Sequence, residues 1–375
     1  MAATAKIVFW VSLALLFYVY AGYPLLLLLW RRLAARPVRR APIEPSVTVV
    51  IAARNERRVI EAKIANCLEL DYPRDRMQIV VALDAPTDGT EEVVWKYAGR
   101  TIDSVYYAPH RGKAGALNRA LAVADGEILV LADARQRFDR SAVRELVANF
   151  DDPSVGAVSG ELVLLDEAGR EAGGGVGLYW RYEKRLRALE SDIHSTLGAT
   201  GAIYAIRRSL FRPIPEETIL DDVAIPMATV LAGKRVLFEP KARAFDHVSA
   251  TPEIEYGRKV RTLMGNYQLL AMMPALLSPR SNPVFWQFWS HKMGRLLAPH
   301  LLIALLLSNL FLRDGVYLWA MAAQSAWYGL AVLGWAATRQ AESRGVQRIP
   351  SARMPGRLDA AGDTAAVNDA EEKAA

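Results

Sequence analysis

The stretch from Ile7 to Trp30 contains no charged residue. A single helix needs about 20 apolar residues to cross the ~30 Å hydrocarbon core, so this run is long enough to span. Arg31, Arg32, Arg36, Arg39 and Arg40 follow it, whereas only Lys6 precedes it. A cleaved signal peptide has its positive charge in front of a shorter run, so the segment is expected to remain as an anchor. The basic flank places the residues after it in the cytoplasm. Two further apolar runs, Leu296–Leu312 and Val316–Thr338, are joined by Arg313-Asp314-Gly315 and read as a hairpin. Its far end is basic again, through Arg339, Arg344, Arg348, Arg353 and Arg357. Between the soluble part and this hairpin, Phe285, Trp286, Phe288, Trp289, His291, Lys292 and Arg295 form an amphipathic pattern suited to the headgroup level.

The expected organisation is therefore an anchor over 1–30, a basic linker over 31–45 and a soluble domain over 46–277. An interfacial segment over 283–295, a membrane hairpin over 296–338 and a polar tail without fixed structure over 339–375 complete it. Over 375 residues, 52% are hydrophobic and 23% charged, which excludes a disordered chain and is too polar for a wholly embedded transporter. The net charge of +6 lies mostly beside the apolar runs, which points to membrane lipids and away from nucleic acid. A single cysteine, Cys67, excludes a disulfide framework and a cysteine metal site. Ala- and Arg-rich usage suits a GC-rich bacterial genome, hence an inner-membrane location.

Within the soluble part, short apolar runs alternate with helical spacing. Val47–Ala53, Gln78–Leu83, Ser104–Tyr107 and Glu127–Ala132 read as buried strands; 56–68, 90–99 and 114–124 read as helices. Continuous apolar strands alternating with helices predict an α/β domain with a mainly parallel sheet. Ligands of such sheets bind beyond the carboxyl ends of the strands. Arg54-Asn55-Glu56, Asp84 to Thr90, His110 to Lys113 and Asp133-Ala134-Arg135 stand at those four ends. Two carboxylates and a lysine there can hold a nucleoside diphosphate with its cation. Lys113 lacks the following hydroxyl of a P-loop, and the Gly173–Gly175 run follows no strand and reads as a loop.

In order, PSVTVVIAARNE, LDAPTDGT, RGKAGALN, LADAR, TGAIYAIRR and ILDDVAIPM resemble the family 2 glycosyltransferases, over about Pro45 to Leu270. The resemblance implies a GT-A (Rossmann-like) cytoplasmic domain plus one N-terminal and two C-terminal transmembrane helices. It implies inverting transfer from a nucleotide-sugar donor, with UDP the expected nucleotide, to a lipid-linked or glycan acceptor. By position it implicates Ala53, Glu56 and Asp84 with the nucleoside, Asp84 reading base or ribose, and Lys113 with the diphosphate. Asp88 matches a family aspartate or simply caps the next helix, and Asn118 ties loops together. Asp133 takes the first place of the DxD motif, which binds Mg2+ or Mn2+. The third place is Arg135, so either Asp133 alone holds the cation or Arg135 supplies charge itself. His247 is a candidate further ligand or a structural histidine. Asp222 takes the place of the catalytic base, with Asp221 before it as a helix cap. Gly198, Gly201 and Tyr204 either bring backbone to the donor sugar or belong to a glycine-softened strand.

The QxxRW motif of processive synthases is reduced to Arg258-Lys-Val-Arg261-Thr262. Arg258 and Arg261 share a helix face and either clamp the diphosphate or face anionic lipid. Three spans favour transfer of one or a few sugars over polymer conduction, and are compatible with a homo-oligomer or synthase complex. Two rival readings are a polyprenyl-phosphate sugar transferase and a nucleotide-binding scaffold without catalysis.

Overall fold

The computed structural model describes residues 2–99, 102–166, 169–171, 174–247, 252–312 and 314–343. The tail from 344 onward lies outside the described residues. Eight strands form one sheet: β1 Val47–Ala53, β2 Met77–Asp84, β3 Asp103–Tyr107, β4 Ile128–Asp133, β5 Arg137–Phe138, β6 Val155–Leu165, β7 Ile203–Arg207 and β8 Arg235–His247, in the order β3-β2-β1-β4-β7-β6-β8-β5. The helices are α1 Ala2–Phe17, α2 Tyr23–Ala34, α3 Ile60–Leu68, α4 Thr90–Trp95, α5 Gly112–Leu121, α6 Ala142–Val147, α7 Gly174–Ile193, α8 Asp221–Leu231, α9 Pro252–Met272, α10 Phe285–Gln287, α11 Gly294–Asn309 and α12 Gly315–Ser343.

The half-sheet β3-β2-β1-β4 is parallel throughout, as the apolar strands predicted. β7 then enters antiparallel to β4, pairing Ile203 with Ala132. That reversal carries the TGA segment before β7 to the carboxyl end of β4. Successive residues along β1 face opposite layers, as a pleated strand requires. Val47, Val49 and Ile51 pack with Ile60, Ile64 and Leu146 on one side. Val50 joins Leu117, Leu131, Tyr204 and Met227 on the other.

Two expectations change. α7 begins at Gly174, so that part of the glycine run is helical. The interfacial segment is also no separate element: Phe288, Met293 and Leu296 belong to the second core layer. Its opposite face keeps Trp286 and Trp289 exposed, which preserves the amphipathic pattern.

Two helices are long and apolar enough to cross a membrane, Ala2–Ala34 and Gly315–Ala337. α11 is not a third among the described residues. It has 16 residues, about 24 Å at 1.5 Å per residue and short of the ~30 Å core. It continues from α10 through a π-helical turn, Phe288–Met293, whose His291 and Lys292 are polar. α1 packs against α11. Phe9 meets Tyr317 at 5.0 Å between rings, while Tyr18 Oη lies 2.7 Å from Ser290 Oγ, so α1 runs antiparallel to α11. α2 packs on α7 through Tyr23, Leu27, Leu186, Leu189 and Ile193. Residues through Tyr317 form one compact unit, and those from Leu318 form a second.

Candidate active site

Four chain segments converge at the carboxyl ends of β1, β2 and β4. Asp133 ends β4, Lys113 lies in the first turn of α5, and Asp221 and Asp222 open α8. The Lys113 ammonium bridges two carboxylates, 2.9 Å from Asp133 Oδ1 and 3.1 Å from Asp221 Oδ2. Burial alone would lower the Lys113 pKa. The carboxylates Asp221, Asp133 and Asp222 more than reverse this and hold it above the ordinary lysine range. Asp221 is buried and pairs with Lys113, so it does more than cap α8; Leu220 holds the cap position. Asp222 is half-buried beside it. Burial, then the Asp221 carboxylate, raise its pKa to about 6, with Lys113 and Lys292 pulling the other way.

The loop before β7 wraps this pair. Ala199 N donates to Asp222 O at 2.7 Å. A Cβ on Gly201 would stand 3.2 Å from Asp222 Oδ2 and 3.5 Å from Lys113 Nζ, so a larger residue would crowd the Asp222 carboxylate while only touching Lys113. Tyr204 is fully buried in β7, its hydroxyl without a hydrogen-bond partner among the described residues. Burial and the charges of Asp221, Asp222 and Asp133 push its pKa well up. Of the motif's residues only Tyr204 lies in a strand, where it also belongs to the site's surroundings; Gly198 and Gly201 lie in the loop before β7, not in a glycine-softened strand.

On the β1–β2 side, Ala53 is buried at the strand end. Glu56 N donates to Thr90 Oγ1 at 2.8 Å. Burial raises the Glu56 pKa, with Asp133 and Asp88 adding to it and Arg135 opposing. Asp84 is buried and already engaged: Arg111 N donates to Oδ1 at 2.8 Å, and His110 Nδ1 lies 2.6 Å from Oδ2. His110 Nε2 in turn lies 2.6 Å from Arg54 Nη1. Sequence reading assigned no role to His110 or Arg54, although the His110-Arg111-Gly112-Lys113 run stood at a strand end. Asp88 accepts from Thr90 N at 3.0 Å and from Arg57 N at 3.1 Å, so it shapes the turn into α4. Asn118 exchanges two bonds with Ile214 and ties loops.

Arg135 turns away from Asp133 to Asp246, its Nε at 3.2 Å and Nη2 at 2.7 Å from one carboxylate oxygen. His247 is exposed, and its backbone N–H donates to Asp246 Oδ1. Arg258 and Arg261 are exposed on α9, while Thr262, Leu263 and Asn266 of that helix line a cavity behind Asp222.

A divalent cation fits the donor set in one way. No group of three His, Cys, Asp or Glu side chains able to hold a metal occurs among the described residues. Mg2+-type sites need only one or two carboxylates when substrate phosphates and water complete the shell. Asp133, already paired with a cationic group, supplies such a carboxylate.

A parallel half-sheet with its charged groups at the carboxyl edge, extended by an antiparallel strand that brings Gly201 to an acidic pair, defines a GT-A-like glycosyltransferase fold. Residues 48–214 match the model of glycosyl transferase family 2, and the chain carries a domain of that family. A solved structure of the mannosyltransferase PcManGT from Pyrobaculum calidifontis, in complex with GDP-Man and Mn2+, is 26% identical. It aligns with a TM-score of 0.67 over 85% of this chain and 91% of its own. The Staphylococcus aureus (strain COL) poly-beta-1,6-N-acetyl-D-glucosamine synthase is 25% identical over 236 residues, 60% of this chain and 55% of that protein. A Bacillus subtilis protein named "Probable glycosyltransferase YdaM" is 25% identical over 232 residues, again 55% of its length. The chain thus spans about half the length of these curated relatives.

Proposed function

We propose that this protein is a membrane-anchored inverting glycosyltransferase, moving a sugar from a nucleoside-diphosphate donor to a hydroxyl of a lipid-linked or polysaccharide-precursor acceptor. The observation that carries the reading is the Lys113 ammonium held between Asp133 and Asp221, with Asp222 alongside. The nucleoside lies against Ala53, Glu56 and the Asp84 loop, and the diphosphate lies beside Lys113 and Asp133. Arg258 and Arg261 reach the diphosphate or lipid from α9.

Asp222 accepts the proton of the acceptor hydroxyl. The acceptor oxygen forms its bond to the sugar C1 as the bond from C1 to the diphosphate oxygen breaks, and the nucleoside diphosphate leaves with that electron pair. A pKa near 6 keeps Asp222 ionised at neutral pH yet basic enough to help, as general-base catalysis favours. Lys113 offsets the charge gathering on the leaving group. A Mg2+ or Mn2+ ion held by Asp133 would add to that charge compensation. The helices Ala2–Ala34 and Gly315–Ala337 anchor the chain in the membrane.

The test is incorporation of label from radiolabelled UDP- and GDP-sugars into extractable lipid or glycan by membranes containing the protein. Transfer that disappears with Asp222→Asn supports the reading. No transfer and no donor hydrolysis from any donor would leave the scaffold reading in its place.

A further inference from the structure

Behind Asp222, between α7, α9 and the π-helical turn Phe288–Met293, lies a cavity of about 310 Å³. That is near the small end of ligand pockets, which run about 300–1,000 Å³. Its charges do not cancel in pairs. Glu183 is paired with Arg295, and Glu190 accepts from Tyr23 Oη at 2.7 Å and lies 2.8 Å from His291 Nδ1. Arg187 and Lys292 also line it, and neither has an ion-pair or hydrogen-bond partner among the described residues. Burial lowers both pKa values, that of Lys292 to about 8 with Arg187 adding to the effect, and the nearby charges of Asp222 and Glu190 offset this only in part. Two half-buried cations side by side are costly unless an anion joins them.

Other atoms at this cavity also lack partners. Arg295 Nε and Nη2, Glu190 Oε2 and Asn266 Oδ1 are buried with no hydrogen bond among the described residues. Buried polar atoms are rarely left so, and several around one cavity mark the place of a polar ligand.

We propose that this cavity seats the acceptor by a phosphate carried on a membrane lipid, with Arg187 and Lys292 as its counter-charges. The inference rests on the reading of Asp222 as the base and names the acceptor class for it. Gly198, Ala199 and Val223 form the wall toward the base, and Ala199 N is bonded to Asp222 O. On the opposite side, Leu296 lines the cavity at the start of the apolar α11. A lipid phosphate held here presents a hydroxyl of the sugar it carries to Asp222 while its hydrocarbon stays at the membrane. Beyond the Tyr23–Glu190–His291 link, an apolar groove of about 420 Å³ runs past Leu26, Trp30, Leu33 and Trp286 and takes that hydrocarbon.

The experiment is calorimetric titration of the full chain in detergent with farnesyl phosphate, farnesol and inorganic phosphate, and separately with UDP and GDP. Farnesyl phosphate is expected to saturate one site and to bind more tightly than farnesol or inorganic phosphate. Arg187→Gln and Lys292→Gln should each weaken it at least about tenfold, as expected for a lost charged hydrogen-bond partner, with nucleotide binding kept. Lys292→Arg should restore most of the affinity. Absence of saturable binding, or glutamine variants that both bind farnesyl phosphate as tightly as the unaltered protein, overturns the proposal. Inorganic phosphate binding as tightly as farnesyl phosphate assigns the cavity to a soluble anion and also overturns it. Failure of both nucleotides to bind the unaltered protein overturns the donor reading and leaves the lipid-phosphate result to stand by its own measurement.

Discussion

Arg135 closes two nitrogens on a single oxygen of Asp246, at 3.2 and 2.7 Å, and Gln136 Nε2 donates to that same oxygen at 2.7 Å. The residue in the third place of the DxD-like motif is thereby committed to β8. Its role is to hold the loop after β4 against that strand, and under the proposed reading the charge facing the donor is left to Lys113.

Arg135→Ala should therefore lower the unfolding free energy by about 1–3 kcal/mol, the range for a buried carboxylate losing a charged partner. Nucleotide affinity should change much less. Thermal or denaturant unfolding alongside calorimetry checks this, and a larger effect on nucleotide than on stability would make Arg135 a phosphate ligand.

Lys113→Ala should weaken nucleoside-diphosphate binding by roughly 1–3 kcal/mol. It also leaves Asp133, Asp221 and Asp222 facing one another without their shared cation. Because Lys113 is one of the groups that hold the Asp222 pKa down, the acid limb of the rate profile should move to higher pH in this variant. Unchanged calorimetric binding removes Lys113 from the donor site.

The pH dependence of the unaltered protein follows from Asp222, whose carboxyl is raised to about 6. A general base acts only when deprotonated, so the rate should be near its plateau at pH 7.5 and fall about tenfold per unit below pH 6. Asp222→Asn should reduce transfer by about 10²–10⁴ and abolish this limb. Asp221→Asn, expected from sequence to be the milder change, should weaken donor binding as well, because Asp221 is one of the two partners of Lys113. If Asp222→Asn leaves transfer intact, a phosphate oxygen is the nucleophile and needs no strong base.

Gly201→Ala tests the packing of the site without touching a charge. The added methyl would stand 3.2 Å from Asp222 Oδ2, tighter than ordinary contact. Transfer should fall while the unfolding midpoint stays close to that of the parent. A fully active Gly201→Ala protein would show that the Asp222 carboxylate shifts to admit the methyl without losing its function.

The parallel half of the sheet was legible because each buried strand is a continuous apolar run; VTVVIAA and MQIVVALD pair in parallel register. The places of Asp84, Lys113 and Asp133 followed from strand ends alone. The antiparallel entry of β7 was not legible, since IYAIR reads the same in either direction. Nor was the engagement of Asp84 by His110 and Arg111, which depends on how two loops fold together. Arg187 and Lys292 were hidden for a different reason. One looks like a solvated charge on a helix and the other like a headgroup-facing lysine, and only tertiary packing brings them to one cavity.

Glu190 takes one bond from Tyr23, in the first turn of the N-terminal apolar helix after its π turn, and a second contact from His291. A soluble fragment begun at residue 46 would strip that carboxylate of one partner and expose the face of α7 built from Leu186, Leu189 and Ile193. The first helix is thus a structural wall of the domain, not a leash on which it swings. The carboxyl edge of the sheet is thereby fixed in height and tilt relative to that apolar helix, so under the membrane-anchored reading proposed above the depth at which an acceptor is reached becomes a built-in dimension of the protein.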